Sequence, residues 1–122
     1  MIAVEHLTKR FGKNLVLDDI SETIEQGEKV VIIGPSGSGK STFLRCMNAL
    51  ETVSEGEVVV NGFAAHDRTT DLNKMRESVG MVFQHFELFP HLSIRENLVL
   101  AQMKVLGRGR EEATERGLKL LD

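Results

Sequence analysis

Apolar and polar residues alternate over Ile2–Leu7 (IAVEHL), the period-two pattern of a strand with one buried face. Leu17, Ile20 and Ile24 punctuate polar neighbours in the next segment, and Gln26-Gly27 marks a turn. These two segments predict antiparallel, partly exposed strands. Lys29–Ile33 (KVVII) is a short apolar, β-branched run, as expected of a strand buried on both faces. Phe43, Met47 and Leu50 then recur at helical spacing and predict a helix from about Lys40 to Leu50. Residues 54–57 read as a turn, 58–60 as a strand, and Asn61-Gly62 as a hairpin turn. Residues 71–78 predict a short helix with an acidic cap, and Gly80–Phe83 a further short strand. Ser93 and Glu96 form a capping box that opens a helix to about Val105. A Gly-Arg-Gly-Arg stretch (107–110) leads to a charged helix whose pattern runs to the last residue without cap or polar tail, as in a chain that continues.

Bulk properties narrow the class without naming a function. The 122 residues are 41% hydrophobic and 27% charged, with formal net charge -3 and no internal repeat, consistent with a globular domain. No Lys/Arg cluster is present, which argues against nucleic acid as a partner. No apolar run approaches the roughly 18 residues of a membrane span, and the N-terminus begins directly with strand pattern, without a signal peptide. A cytoplasmic chain is expected, reaching a membrane only through a partner. The single cysteine, Cys46, suits a reducing compartment and reads as a small buried hydrophobe on a helix.

The chemistry lies between the apolar run and the first helix. Gly34, Pro35, Ser36, Gly37, Ser38, Gly39, Lys40 and Ser41 fit G-x-x-x-x-G-K-[ST], the phosphate-binding loop. Glycines admit backbone conformations that turn successive N–H groups inward around phosphate oxygens. The loop ends at a helix N-terminus, whose unpaired N–H groups and dipole favour anions. Lys40 adds a charge for the β- and γ-phosphates, and the Ser41 hydroxyl is a hard oxygen ligand suited to Mg²⁺. A chance match to the four fixed positions falls in roughly one chain in a few hundred. A predicted buried strand immediately before and an amphipathic helix immediately after make the motif specific. It fixes a nucleotide ligand, not an activity.

The flanking segments carry the activity class. GPSGSGKSTFLRCMNALE followed by GEVVVNG, and later VGMVFQHFELFPHLSIRENL, resemble the ATP-binding subunit of ABC transporters, within it the polar amino-acid uptake group. Residues 69–106 are especially similar to subunits of glutamate/aspartate importers. The resemblance covers essentially the whole chain but only the N-terminal half of the family's domain. It implies an α/β P-loop NTPase core with an N-terminal antiparallel β subdomain and the start of a helical subdomain. The corresponding regions are 1–28, mainly antiparallel β; 29–89, the core from phosphate loop to Q-loop; and 90–122, the start of the helical subdomain. By position, Phe11 matches the aromatic that stacks on adenine, and Val16 the apolar contact beside the ribose. Thr42 extends the phosphate contacts, and Gln84 is the Q-loop glutamine, a Mg²⁺ ligand or water-orienting group. Read alone, Phe11 belongs first with the core, and Gln84 is an exposed residue at a strand end.

The family reading also implies partners: transmembrane permease subunits docked near Phe86–Pro90, a second ATP-binding subunit placed head-to-tail, and indirectly a solute-binding protein. Phe86, Leu88 and Phe89 are large apolar residues where a loop is ordinarily polar. Both packing of the subdomain junction and an exposed partner patch fit them. His6, His66, His85 and His91 read as ordinary polar residues, because no converging ligands accompany them. The family's signature (LSGGQ), its apolar run ending in Asp-Glu (Walker B) and its switch histidine are not found in these residues. The leading expectation is therefore an ATPase subunit that energises uptake of a polar, acidic amino acid, represented by its binding and coupling parts. A nucleotide-binding or interaction module without turnover is the alternative, and a small-molecule kinase finds no base or acceptor segment.

Overall fold

In the computed structural model, which describes residues 1–122, the first alternating segments form a hairpin of β1 (Ile2–Phe11) and β2 (Asn14–Ile24). Phe11 pairs with Asn14 across the turn. Gly12, at φ 60, supplies the positive φ that a two-residue hairpin needs at its first central position. β3 (Glu55–Val60) adds to the other edge of β1, and the two-residue β4 (Phe63–Ala64) follows through the Asn61-Gly62 turn. Both turn residues have positive φ, the condition for a type I′ turn. The four strands form one antiparallel sheet in the order β2-β1-β3-β4.

Strict alternation does not survive in β1. His6 (φ 50) and Asp19 (φ 49) sit in the left-handed region across an irregular register, bridged by His6 Nδ1 and Asp19 Oδ1 at 2.7 Å. The bulge leaves three consecutive residues buried, Leu7, Thr8 and Lys9. On the β3 side the register also shifts between Glu5 and Thr8. There Gly56 (φ 91) passes so close that a Cβ would lie 2.3 Å from the His6 carbonyl oxygen.

One face of the sheet packs on α1 (Lys40–Met47) and α2 (Leu72–Glu77). Val4, Leu7, Leu17, Val58 and Val60 from the sheet meet Phe43, Cys46 and Met47 from α1 and Met75 from α2. Phe43 and Met47 are on the buried face as their spacing predicts, but the helix stops at Met47 and Leu50 is exposed. Cys46 is fully buried. Burial pushes its thiol above the ordinary range, with the Lys9 charge pulling the other way, which keeps it an unreactive hydrophobe. The carbonyls at the end of α1 are occupied: Arg76 donates to Asn48 O (3.2 Å) and Ala49 O (3.0 Å), and His66 Nε2 lies 2.8 Å from Cys46 O.

Two predicted strands do not form. Lys29–Ile33 and Gly80–Phe83 carry no strand ladder; Val31 and Ile33 are 79% and 89% exposed and Val82 is 98% exposed. A doubly buried strand takes its hydrogen bonds from neighbours on both sides. The one sheet present is built from other segments. A β-branched apolar run specifies a wish for burial, and the pairing that satisfies it is non-local.

Residues Met1–Gly80 form one compact unit and Met81–Asp122 a second. In the second unit α3 (Ile94–Lys104) packs against α4 (Arg110–Lys119). A Cβ on Gly117 would lie 3.1 Å from Leu98 Cβ, and Val99 and Ala113 are buried, so small residues set the helix approach. Gln102 Nε2 donates to Leu98 O and Ala113 O at 2.9 and 3.0 Å, pinning the pair. Ser93 and Glu96 make the predicted capping box in full.

Candidate functional site

The loop at residues 34–39 is drawn around the ammonium of its own lysine. Lys40 Nζ donates to Gly34 O at 2.6 Å, to Pro35 O at 2.7 Å and to Ser38 Oγ at 3.3 Å. The charge therefore sits inside the concavity. Gly37 (φ 79) and Gly39 (φ 95) supply the left-handed turns, and Ser38 N closes on Pro35 O at 3.2 Å. At Gly34 a Cβ would lie 2.8 Å from Ser38 Oγ.

Gly39 is also the N-cap of α1. It offers no side-chain acceptor, and the first turn of α1 contains no acidic residue. The N–H groups of Lys40, Ser41 and Thr42 are thus left for an external acceptor. An ammonium, helix-end N–H groups and the helix dipole make a donor set that fits a polyphosphate. Ser41 is exposed in the same turn, an oxygen ligand of the type Mg²⁺ prefers. Because the far end of α1 is held by Arg76 and His66, the loop end is fixed in place by the core.

β2 supplies the neighbouring wall. A Cβ at Gly39 would lie 3.0 Å from Val16 Cγ1 and 3.1 Å from Val16 O, so Val16 is beside the phosphate loop. Phe11 lies at the tip of the same hairpin and is 45% exposed, not a core residue. Beneath the loop an open cleft of about 590 Å³ runs between the 30–33 segment and α1, with Leu17, Ile24, Phe43 and Met47 among its lining. It is mostly apolar, and Glu22 is its one carboxylate.

Gln84 lies in the second unit, exposed in the stretch before α3. Phe86 is 90% exposed, and Leu88 and Phe89 are exposed as well. Within their own unit these residues are not core, which removes packing inside that unit as their explanation. No group of histidine, cysteine or carboxylate side chains converges as a metal site.

Two residues that the patterning did not single out organise these regions. Asn97, on α3, accepts from Phe89 N at 2.8 Å and donates to Phe89 O, Leu92 O and Ser93 O at 3.0–3.2 Å. It pins the end of the apolar loop to the helix start. Lys9 is buried with its ammonium 4.6 Å from the centre of the Phe11 ring. The only trace of Asn97 in the sequence is an amide one turn after a capping serine; Lys9 is two residues from Phe11 on the same strand.

Residues 17–121 match the ABC transporter family. The chain belongs to that family. It is 55% identical over 122 residues to the glutamate/aspartate import ATP-binding protein GltL of Escherichia coli (strain K12), covering 100% of this chain and 51% of that one. It is 53% identical over 115 residues to the glutamine transport ATP-binding protein GlnQ of Bacillus subtilis (strain 168), covering 94% and 48%. Among solved structures, the ATP-binding cassette MJ0796 in a dimeric post-hydrolysis state bound to ADP and Pi aligns with TM-score 0.84 at 32% identity. That alignment covers 98% of this chain and 55% of the other. A second dimeric structure of MJ0796, a bacterial ABC transporter cassette, aligns with TM-score 0.87 at 36% identity. The fold is therefore that of the ABC ATPase cassette. The chain spans about half the length of the curated relatives it matches.

Proposed function

We propose that the chain supplies the phosphate-binding portion of an ABC ATP-binding subunit that energises import of a polar, acidic amino acid. The observation that carries this reading is the Lys40 ammonium held within the glycine loop at the uncapped start of α1. In this reading Gly34–Thr42 cradle the phosphates of ATP, the Ser41 hydroxyl is a ligand for Mg²⁺, Phe11 stacks on adenine and Val16 lies beside the ribose. Gln84 serves as the Q-loop glutamine, a Mg²⁺ ligand or water-orienting group. Magnesium, when bound, neutralises phosphate charge and orients the terminal group. The regions 1–28, 29–89 and 90–122 act as strand subdomain, core and start of the helical subdomain.

The acidic substrate rests on similarity to GltL, a glutamate/aspartate import protein; relatives named for glutamine and arginine transport are nearly as similar. Association with a membrane permease through Phe86–Pro90 is supported by the exposure of Phe86, Leu88 and Phe89. Pairing with a second ATP-binding subunit is supported by the dimeric cassettes that share the fold, and we take that pair as head-to-tail. The subunit then sits peripherally on the cytoplasmic side of the membrane, where such a permease would hold it. A solute-binding protein would act only through the permease.

Hydrolysis belongs to the intact subunit. Glu22, the one carboxylate lining the cleft, lies on β2 outside every matched motif. Residues 1–122 alone should bind Mg-ATP and release no phosphate above background. A phosphate-release assay on the monodisperse chain tests this: turnover that Lys40→Ala abolishes would contradict it and require a catalytic group elsewhere in these residues.

A further inference from the structure

The hairpin tip that bears Phe11 is tied to the segment after α1 by one buried cation. The Lys9 side chain is 7% exposed and its Nζ lies 3.0 Å from Glu51 Oε1, 3.1 Å from Thr52 Oγ1 and 4.6 Å from the Phe11 ring centroid. Neighbouring bonds fasten the same seam: Ser54 N donates to Thr8 O, Arg10 N to Ser54 Oγ, and Arg10 Nη1 to Glu55 Oε1. The bulge in β1 is what turns Lys9 inward. A carboxylate and a hydroxyl from one short segment thus set where the ammonium sits, and the ammonium takes one face of the aromatic ring.

From this geometry we infer that Lys9 is a positioning residue for nucleobase recognition: its ammonium, fixed by Glu51 and Thr52, orients the Phe11 ring so that the ring's remaining face receives the base. The inference rests on the reading of Phe11 as the stacking residue. An exposed phenylalanine at a hairpin tip otherwise samples several rotamers, and ordering it on binding costs affinity. A cation at this distance from a ring is attracted by its quadrupole, by an amount equivalent to about two- to fivefold in an equilibrium at partly exposed sites. Burial of the lysine stem adds a fixed base for that contact. No phosphate contact is assigned to Lys9, so its influence should be confined to ligands that carry a base.

The test compares ATP with inorganic tripolyphosphate, which has the phosphates and no base. Calorimetric dissociation constants are measured on the 122-residue chain and its Lys9→Met, Phe11→Ala and Lys9→Met/Phe11→Ala variants. Lys9→Met should weaken ATP about two- to fivefold and leave tripolyphosphate unchanged. In the Phe11→Ala background the same substitution should have no further effect on ATP. Equal weakening of both ligands, no weakening of ATP, or an undiminished effect without Phe11 would each overturn the inference. Should Lys9→Met fail to fold, Lys9→Met/Glu51→Gln, which removes both charges of the pair, carries the same measurements. Phe11→Ala that binds ATP like the parent would overturn the stacking role itself, whereas a weakened Phe11→Ala beside an unaffected Lys9→Met would overturn only the role of Lys9. A parent chain that binds neither ligand overturns both.

Discussion

Val16 and Gly39 meet so closely that a Cβ added to the glycine would lie 3.0 Å from Val16 Cγ1 and 3.1 Å from its carbonyl oxygen. The contact joins the second strand to the residue that turns the phosphate loop into α1. Gly39 also holds φ 95, whereas Gly37 holds φ 79 with open space around it. A left-handed conformation costs an L-residue roughly 1–2 kcal/mol, and of the two only Gly39 adds tight contacts, with the Val16 and Leu17 side chains and the Val16 carbonyl oxygen. Gly39→Ala should therefore lower the urea midpoint clearly more than Gly37→Ala, and should weaken ATP as well. Equal midpoints would mean that β2 does not press on the loop.

The crossing of β1 and β3 makes a sharper demand. A Cβ on Gly56 would sit 2.3 Å from His6 O and 2.5 Å from Glu5 O, and no side-chain movement relieves contact with backbone. Gly56→Ala should break the β1–β3 pairing and leave little folded protein, as judged by circular dichroism. Gly12→Ala, at φ 60 in open space, should remain folded with a loss of about 1 kcal/mol.

In the second unit the capping box carries a pH signature. Hydrogen bonds from the Ser93 backbone and side chain hold the Glu96 carboxyl below the ordinary carboxylate value. A group depressed on folding contributes fully above its unfolded value, near 4.3, and loses that contribution as pH falls through the folded value. Helix signal from α3 should thus decline on acidification below about pH 4 in the parent. Glu96→Gln, which keeps an acceptor but does not titrate, should show less helix at pH 7 and a flatter acid response. An identical acid profile for the two proteins would dismiss Glu96 as the titrating cap.

Phe86 is 90% exposed, so a charge there has little to disrupt within the fold; surface changes of this kind are ordinarily within about 0.5 kcal/mol. Phe86→Asp should leave stability and ATP affinity intact and, in the full-length subunit assembled with its permease, reduce transport-stimulated hydrolysis. Loss of nucleotide affinity instead would assign the side chain to packing.

Local chemistry was the legible part of this chain. Asp71 caps α2, Ser93 and Glu96 cap α3, and Asn61-Gly62 turns β3 into β4, because each needs only residues within a few positions. The glycine loop before α1 was equally legible as a turn, since glycine spacing encodes the positive φ of Gly37 and Gly39. What could not be read depends on register. Lys29–Ile33 and Gly80–Phe83 have strand composition, yet a ladder requires partners far along the chain. Lys9 comes inward only because His6 adopts a positive φ and breaks the alternation, and Gly56 acquires its importance from a crossing with residues 5 and 6. Asn97 gives no periodic signal at all, although four hydrogen bonds converge on it.

Phosphate binding through Lys40 is the central claim, and calorimetric titration of Mg-ATP into the chain and into Lys40→Ala tests it most directly. The ammonium now directed at Gly34 O and Pro35 O would make charge-assisted contacts with phosphate, each contributing about 1.5–3 kcal/mol. The substitution should raise the dissociation constant roughly tenfold or more, with the β1–β2 hairpin still formed by circular dichroism. An unchanged dissociation constant in a folded Lys40→Ala protein would contradict the phosphate-loop assignment.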